Sequence, residues 1–228
     1  MGNSKSVPNA FSDIELFPLL KPLVAIGSHF VRKDEITTIR LVETLHSSKN
    51  LSFKDVMSKH VLFHTGPTKQ MELLLDAEKK PLVKISIKPD IKNIYYVYRA
   101  EADSERDDEL MQIYVKMGQM TRTSYLDTEL RVDFTDMTTN RRCKIGIQGE
   151  WRARTAMLWL DRGDGQPRAA IGKVYRTKMR NGFNVDIAPN VDTSLVLLIC
   201  AVVDDELKKL RFYENSLGPT VAISIVSG

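Results

Sequence analysis

The sequence has few cysteines and no long apolar segment, and each shortage excludes a class of protein. Only Cys143 and Cys200 occur among 228 residues. One pair cannot form the dense disulfide framework of small secreted domains, so we expect a reducing compartment, with a Cys143–Cys200 disulfide left open. The apolar run from Leu195 to Val203 is well short of the ~20 residues that cross a bilayer as a helix.

The charges are also nearly balanced. The chain has 33 basic and 29 acidic residues, for a formal net charge of +4. Dense basic clusters with aromatic residues between them are missing, so we expect no nucleic-acid partner. A small positive excess favours anionic surfaces only mildly. With 43% hydrophobic residues and no repeat or linker, the chain can form a sizeable core.

Catalytic and metal-binding motifs are missing from the sequence. There is no Gly-x-Ser-x-Gly, no phosphate-binding Walker loop and no dinucleotide fingerprint. His60 and His64 lie in a segment with strand character, where four residues span about 13 Å, too far for one metal ion. We therefore expect no enzyme activity, no catalytic residue, no cofactor and no metal site.

Most of the chain has the alternation and the β-branched residues that are typical of strands. A polar turn from Asp76 to Lys80 separates two such segments, and an "RGDG" turn at Arg162 to Gly165 separates two more. In that turn Gly163 and Gly165 can supply positive φ, so a hairpin is a simpler interpretation than an adhesion tripeptide. Many short strands with polar turns predict an all-β barrel or sandwich.

The apolar run near the C-terminus requires a different environment. Its β-branched residues suit a buried strand, but its length and its ends favour a helix over 191–207. Asp192 can act as N-cap, and Lys208, Lys209 and Arg211 suit a helix C-terminus. A helix that is apolar on every side must be buried on every side. We therefore predict a mainly β protein, a closed antiparallel barrel around this central hydrophobic helix.

Three segments in this order resemble the LURP-one-related family, which belongs with the phospholipid scramblases to the tubby C-terminal-like superfamily. They are "LLLDAEKKPLVKI", "IGIQGEWRARTAMLWLDRGDGQPRAAIGKVYRTK" and "FNVDIAPNVDTSLVLLICAVVDD". The residues that match the pattern are Asp76, Pro81, Leu82, Gly149, Gly165, Ala170, Arg176, Lys178, Phe183, Pro189, Val191, Asp192 and Asp204. The resemblance implies a barrel of about twelve strands threaded by a hydrophobic helix.

The resemblance also suggests a division of the chain. It covers roughly residues 20–207, which we expect to form the barrel and its helix. Residues 1–19 are then a flexible N-terminal segment. Residues 208–228 are an extension, either an added strand or a loosely ordered tail. The acidic stretch "ADSERDDE", residues 102–109, does not match the family pattern, and we expect an exposed loop there.

The N-terminus "MGNSKS" fits the N-myristoylation pattern. Gly2 would be exposed after removal of Met1, and Ser6 occupies the favoured position. The alternative is a chance match in a disordered start. One myristoyl chain binds membranes only marginally, with an association constant on the order of 10⁴ M⁻¹, so a second membrane signal is needed.

Basic residues in the second half of the chain are the candidates for that second signal. Side chains two apart in a strand share a face, so neighbouring strands could present a phosphate-binding surface. The alternative is an ordinary solvated face. The candidate headgroup-binding residues are Arg141, Arg142, Lys144, Arg152, Arg154, Arg176, Lys178 and Arg180. Tubby relatives bind phosphoinositide headgroups through basic barrel residues, although those positions do not match individually here.

These observations lead to three hypotheses. The first is a non-enzymatic module that binds acidic phospholipid or phosphoinositide and is tethered by myristate at Gly2. It would be cytoplasmic and peripheral at the cytoplasmic face of a membrane. The second is a soluble protein-interaction scaffold of stress or defence type, suggested by family analogy, and the third is scramblase-like activity. Fold alone does not decide among them.

Overall fold

A closed barrel of antiparallel strands surrounds one long helix. The computed structural model describes residues 11, 13–44, 47–67, 72–87, 93–100, 109–117, 128–176 and 182–221. A short 3-10 helix, Ser28–Phe30, precedes the barrel. The strands are β1 Thr37–Thr44, β2 Ser47–Asp55, β3 Val61–Pro67, β4 Glu72–Asp76, β5 Pro81–Ile87, β6 Ile94–Arg99, β7 Glu109–Lys116, β8 Glu129–Asp136, β9 Arg141–Glu150, β10 Thr155–Asp161, β11 Ala169–Arg176 and β12 Phe183–Ile187. The helix α1 is Thr193–Val221.

The topology is the simplest that closes a sheet. Each strand pairs antiparallel with its neighbours in sequence, and β1 closes the barrel by pairing with β12. Closure removes the exposed edges that would otherwise template aggregation. Among the described residues the strands number twelve, so the predicted barrel of about twelve strands around a hydrophobic helix is confirmed.

Strand alternation explains which side chains face the interior. In β8 the buried residues Leu130, Val132 and Phe134 alternate with exposed or half-buried ones. Val132 lies opposite Ile145 of β9, so the apolar sides of neighbouring strands are in register. Because successive side chains of a strand point to opposite faces, one face of each strand lines the interior of the barrel.

The interior is filled by the first half of α1. The helical residues from Thr193 to Asp204 are all buried. Gly172 of β11 faces this helix, and a Cβ atom there would lie 3.5 Å from Cγ1 of Val196. The small residue lets the helix approach the strand closely. The apolar run therefore contacts apolar strand residues on all sides, as its composition requires.

Asp192 begins the helix and also closes one end of the barrel. Its Oδ1 accepts hydrogen bonds from the backbone N–H groups of Ser194 at 3.0 Å and Leu195 at 3.3 Å, so the predicted N-cap is confirmed. Its Oδ2 accepts from Ala25, Ile26 and Gly27 at 3.1, 2.8 and 3.1 Å. One carboxylate therefore holds the N-terminal segment onto the start of the helix.

We call the end of the barrel where α1 begins the upper end, and the end where α1 leaves it the lower end. Four upper-end hairpins are built alike, because β2, β4, β8 and β10 each finish in an aspartate whose carboxylate accepts backbone N–H groups of the following turn. This side-chain bonding favours a tight turn after each strand. The aspartates are Asp55, Asp76, Asp136 and Asp161.

Several local predictions were wrong. The helix starts at Thr193 rather than at residue 191, and it continues to Val221 instead of ending at residue 207. Lys208 and Lys209 do not mark its C-terminus, since they form ion pairs with Asp204 and Asp205 one turn earlier in the helix. The extension 208–228 is therefore helical as far as Val221, and residues 222–228 lie outside the described part.

The N-terminal boundary at residue 20 was also wrong. Phe11, Leu16 and Leu19 are at most 8% exposed and belong to the apolar core. The carbonyl of Ile14 accepts a bond from Nζ of Lys173 on β11 at 3.4 Å, and the N–H of Leu19 donates to Pro189 at 3.2 Å. The described N-terminal residues therefore pack along the outside of the barrel, from its lower end to its upper end.

Both cysteines are buried and free, so no disulfide joins them. Burial raises the pKa of the Cys143 thiol, and the charge of Asp136 raises it further. Burial also raises the pKa of Cys200 strongly, with Asp204 adding to the effect. Both thiols therefore stay protonated and act as small core residues.

Candidate functional site

The predicted basic residues do not form one surface. Arg141, Arg142 and Lys144 lie at the upper end, where β9 begins. Arg152 and Arg154 lie beyond the other end of β9, at the lower end. A strand of this length spans about 30 Å at ~3.3 Å per residue, so one headgroup cannot contact both groups. Lys178, Arg180 and Gly2 lie outside the described residues, and so do residues 102–108 of the acidic stretch.

At the upper end only part of the predicted group is available to an anion. Arg141, Arg142 and Lys144 are all exposed. Lys144, however, lies opposite Asp133 on one neighbouring strand and opposite Asp161 on the other. Two carboxylates at cross-strand positions offset its charge. Arg141 and Arg142 remain as exposed cations there.

At the lower end, Arg152 and Arg154 were predicted to share one face of a strand, and this was wrong. Residues 151–154 form the turn between β9 and β10, and Arg154 has φ of 57°. Such left-handed backbone is uncommon for a residue with a Cβ atom. The alternation argument that grouped the two residues therefore does not apply.

The side chain of Arg154 contacts α1 rather than solvent. Its guanidinium forms an ion pair with Asp204, and the two side chains are 15% and 2% exposed. The guanidinium carbon lies 4.2 Å from the ring centre of Phe183 and 5.7 Å from that of Trp151. Asp204 also pairs with Lys208 at 3.3 Å. Asp204, which matches the family pattern, is a buried charge within the helix.

Two further contacts fix α1 where it leaves the barrel. Arg152 donates from Nη1 to Glu214 at 3.2 Å, and a second contact makes the pair bidentate. Tyr95, which is buried in β6, bonds through its hydroxyl to Asp205 at 3.3 Å and also to Glu206. Lys209 donates to the same hydroxyl at 2.8 Å. We call these contacts, together with the ion pairs of Asp204 with Arg154 and Lys208, the lower clamp.

The electrostatics of the lower clamp favour a charged Lys209. Burial by itself lowers the pKa of Lys209, but its hydrogen bond to Asp205 and the charges of Asp205 and Glu206 outweigh this, and the pKa is raised. The acidic groups of the clamp therefore have cationic partners within the protein. The lower rim presents no uncompensated negative charge from these residues.

Arg176, the remaining predicted cation, is exposed at the end of β11. Its Nε donates to the carbonyl of Ala153 at 2.9 Å, which orients the guanidinium beside the lower clamp. The two remaining nitrogen atoms keep donor capacity in a planar fork that suits phosphate oxygens.

Sequence reasoning missed an exposed aromatic pair on the helix beyond the barrel. Phe212 is 69% exposed and Tyr213 is 63% exposed, and their ring centres lie 6.2 Å apart. Large apolar side chains with this exposure are seldom placed together without a partner. The adjacent aromatics in "LRFYENS" were the available sequence signal, but an extension predicted as a strand or a loose tail gave no reason to place them on an exposed helix.

Neither a metal cluster nor a membrane-spanning helix is found in the described ranges. No three His, Cys, Asp or Glu side chains there are grouped so as to hold a metal ion. No helix in the same ranges is long and apolar enough to cross a bilayer.

Comparison with known proteins agrees with the fold and the sequence motifs. The LURP-one-related family model matches residues 37–204. Protein LURP-one-related 15 of Arabidopsis thaliana is 23% identical over 141 residues, which are 58% of this chain and 60% of that relative. An Arabidopsis thaliana protein solved by X-ray crystallography is 22% identical, covers 80% of this chain and 97% of its own, and superposes with a TM-score of 0.56. The chain belongs to the LURP-one-related family.

Proposed function

We propose that this protein is a non-enzymatic binding module that works at the surface of an acidic membrane, tethered by myristate at Gly2. The observation that carries the proposal is the acylation pattern "MGNSKS", joined to a chain that is fixed against the barrel from Phe11 onward. The stretch from Gly2 to Phe11 spans at most about 30 Å when extended. An acyl group there would hold the barrel close to the bilayer.

The filled interior supports a surface-binding role. The barrel lumen is occupied by the side chains of α1 from Leu195 to Val203, so a ligand must bind outside it. Exposed guanidinium groups lie at both ends of the barrel, Arg141 and Arg142 at the upper end and Arg176 at the lower end, so whichever end faces the bilayer offers donors suited to phosphate. Each cation near an anionic bilayer contributes about 1 kcal/mol, which can supplement the marginal binding of one myristoyl chain. Acidic phospholipid or phosphoinositide headgroups are the proposed ligands, at the cytoplasmic face of a membrane.

The test is vesicle co-sedimentation of the full chain produced with and without an N-myristoyltransferase. Acylated wild type is expected to bind phosphatidylcholine vesicles containing phosphatidylserine or a phosphoinositide at least about tenfold better than the Gly2→Ala variant does. Binding is expected to weaken as salt is raised, because the headgroup attraction is screened. Asn3→Ala is the matched control, since it keeps Gly2 and Ser6.

Equal partition of acylated wild type and Gly2→Ala would contradict the tether. No binding by either form, at low salt and with every headgroup, would contradict the whole proposal. That result would favour the second candidate, a soluble protein-interaction scaffold without a lipid role. The exposed Phe212 and Tyr213 are the feature that favours this alternative.

A further inference from the structure

We propose that the lower end of the barrel faces the membrane, with Phe212 and Tyr213 of α1 inserted at the bilayer interface. This inference rests on the proposed function and adds an orientation to it. It also identifies an acidic phospholipid bilayer as the partner that the exposed aromatic pair contacts.

Phe11, where the described N-terminal residues begin, and the exit of α1 from the barrel both lie at the lower end. Phe11 lies against Gly149 near the end of β9, so closely that a Cβ atom at Gly149 would lie 2.5 Å from its ring. From Phe11 the chain runs up the outside of the barrel, so the stretch back to Gly2 starts at the lower rim. The helix leaves at the same rim after Asp204, where Arg154 holds it. An acyl group at Gly2 and the exposed part of α1 would therefore reach the same membrane.

The lower clamp sets the direction of the aromatic pair. Glu214 faces the barrel, because it pairs with Arg152. Phe212 precedes it by two residues and lies about 160° away around the helix at ~100° per residue. The helix is therefore held by one side, and its aromatic side is directed outward. Tyrosine and other amphipathic aromatic side chains favour the bilayer interface, where the ring is apolar and the hydroxyl stays hydrated.

The charges beside the aromatic pair suit lipid phosphate. Arg176 and Arg211 are both exposed. The acidic side chains of the lower clamp are paired with cations of the protein; they are Asp204, Asp205, Glu206 and Glu214. The rim therefore does not repel an anionic surface as strongly as its acidic content suggests.

The upper end provides a matched control. Leu20 is 103% exposed and Met57 is 87% exposed, and Ile36 and Met137 are exposed there as well, so this end also carries apolar side chains. A myristoyl group at Gly2, however, would have to extend back along most of the barrel height to share a membrane with them. The proposed orientation therefore predicts different membrane binding for equally drastic substitutions at the two ends. Those at Phe212 and Tyr213 should weaken binding, and those at Leu20 and Met57 should not.

The experiment compares two double variants of the full acylated chain in phosphatidylcholine vesicles containing phosphatidylserine. Phe212→Ser with Tyr213→Ser is expected to lower the vesicle partition coefficient on the order of tenfold, because two partly inserted aromatic side chains are lost. Leu20→Ser with Met57→Ser is expected to change it less than about twofold. Circular dichroism and thermal melts check that both variants fold like wild type.

A second readout locates the inserted end directly. Bromine-labelled lipid is expected to quench the tryptophan introduced by Phe212→Trp and to leave that introduced by Leu20→Trp at its intensity without bromine. The reference is wild type, which contains the buried Trp151 and the half-buried Trp159, and whose quenching is subtracted from that of each variant.

The outcomes separate the orientation from the proposed function. If acylated wild type fails to bind vesicles, the proposed function fails and the orientation fails with it. If wild type binds and only the Leu20/Met57 variant loses binding, the membrane faces the upper end and the orientation is overturned. Binding by wild type and both variants at equal strength also overturns it, because the aromatic pair then does not insert.

Discussion

Asp192 holds two parts of the chain together through one carboxylate, and its replacement by asparagine should be severely destabilising. The side chain is fully buried. It accepts three backbone N–H groups from residues 25–27, and from the helix it accepts the N–H groups of Ser194 and Leu195 and the Ser194 hydroxyl. Every partner is a donor. Asparagine keeps one acceptor oxygen but directs its own NH₂ donors at donors, so it cannot replace the carboxylate.

The expected cost follows from the unsatisfied groups. Each buried donor without an acceptor costs about 1–3 kcal/mol, and the surrounding chain recovers part of this by relaxing. Losing either set of contacts should therefore reduce the free energy of unfolding by about 3–5 kcal/mol. For a domain of this size, that reduction lowers Tm by roughly 6–20 °C.

The assay is urea unfolding followed by circular dichroism, with thermal melts beside it. Asp76→Asn is the matched control, because Asp76 likewise accepts backbone N–H groups, from Glu78 and Lys80, but in an exposed turn. Water can replace those bonds, so the control should lose less than about 1 kcal/mol. The reasoning is refuted if Asp192→Asn and Asp76→Asn have the same unfolding free energy.

Two further predictions follow from the titratable groups. Burial tends to raise the pKa of Asp55, but hydrogen bonds from the backbone of Ser58, from Arg32 and from the backbone of Met57 outweigh it, and the pKa is lowered. Its contribution is therefore present above the unfolded-state pKa of about 4 and is lost as pH falls through the lower folded-state pKa. Asp55→Asn should cost about 1–2 kcal/mol at pH 7 and clearly less at pH 3, as measured by urea unfolding at both pH values. A cost that does not change with pH would contradict this. Cys143 and Cys200 are buried with raised pKa values, so at pH 8 a disulfide thiol reagent should label both at least about a hundredfold faster in urea than in buffer. Equal labelling rates would show that the thiols are accessible in the folded protein.

The turn at Arg154 could not be predicted from the local sequence pattern, which suggested a strand there. "EWRARTAM" has polar and apolar residues that also fit a strand, and an arginine at positive φ, unlike an asparagine, has no sequence signature. Arg154 adopts this conformation where its guanidinium contacts Phe183 and pairs with Asp204. Those partners are remote in sequence, so alternation within one segment could not predict the turn.

The end of α1 was mispredicted for a related reason. Basic residues near a helix C-terminus complement its dipole, and this suggested an end near Lys208. In the folded chain Lys208 and Lys209 instead pair with Asp204 and Asp205, and Glu214 reaches Arg152 on the rim. Helix length at a barrel mouth thus depends on contacts with the rim, which only the folded protein provides.

The sequence by itself determined the fold class, the burial of Leu195 to Val203 and the capping role of Asp192. Each follows from a local period or from a residue's own bonding capacity. Tertiary structure alone decided which basic residues have their charge offset, because folding gave Arg152 and Arg154 acidic partners on the helix and placed Lys144 opposite aspartates on both neighbouring strands. The sequence shows which residues are charged. Whether a charge is paired or remains available to a ligand depends on neighbours from distant parts of the chain, which only folding brings together.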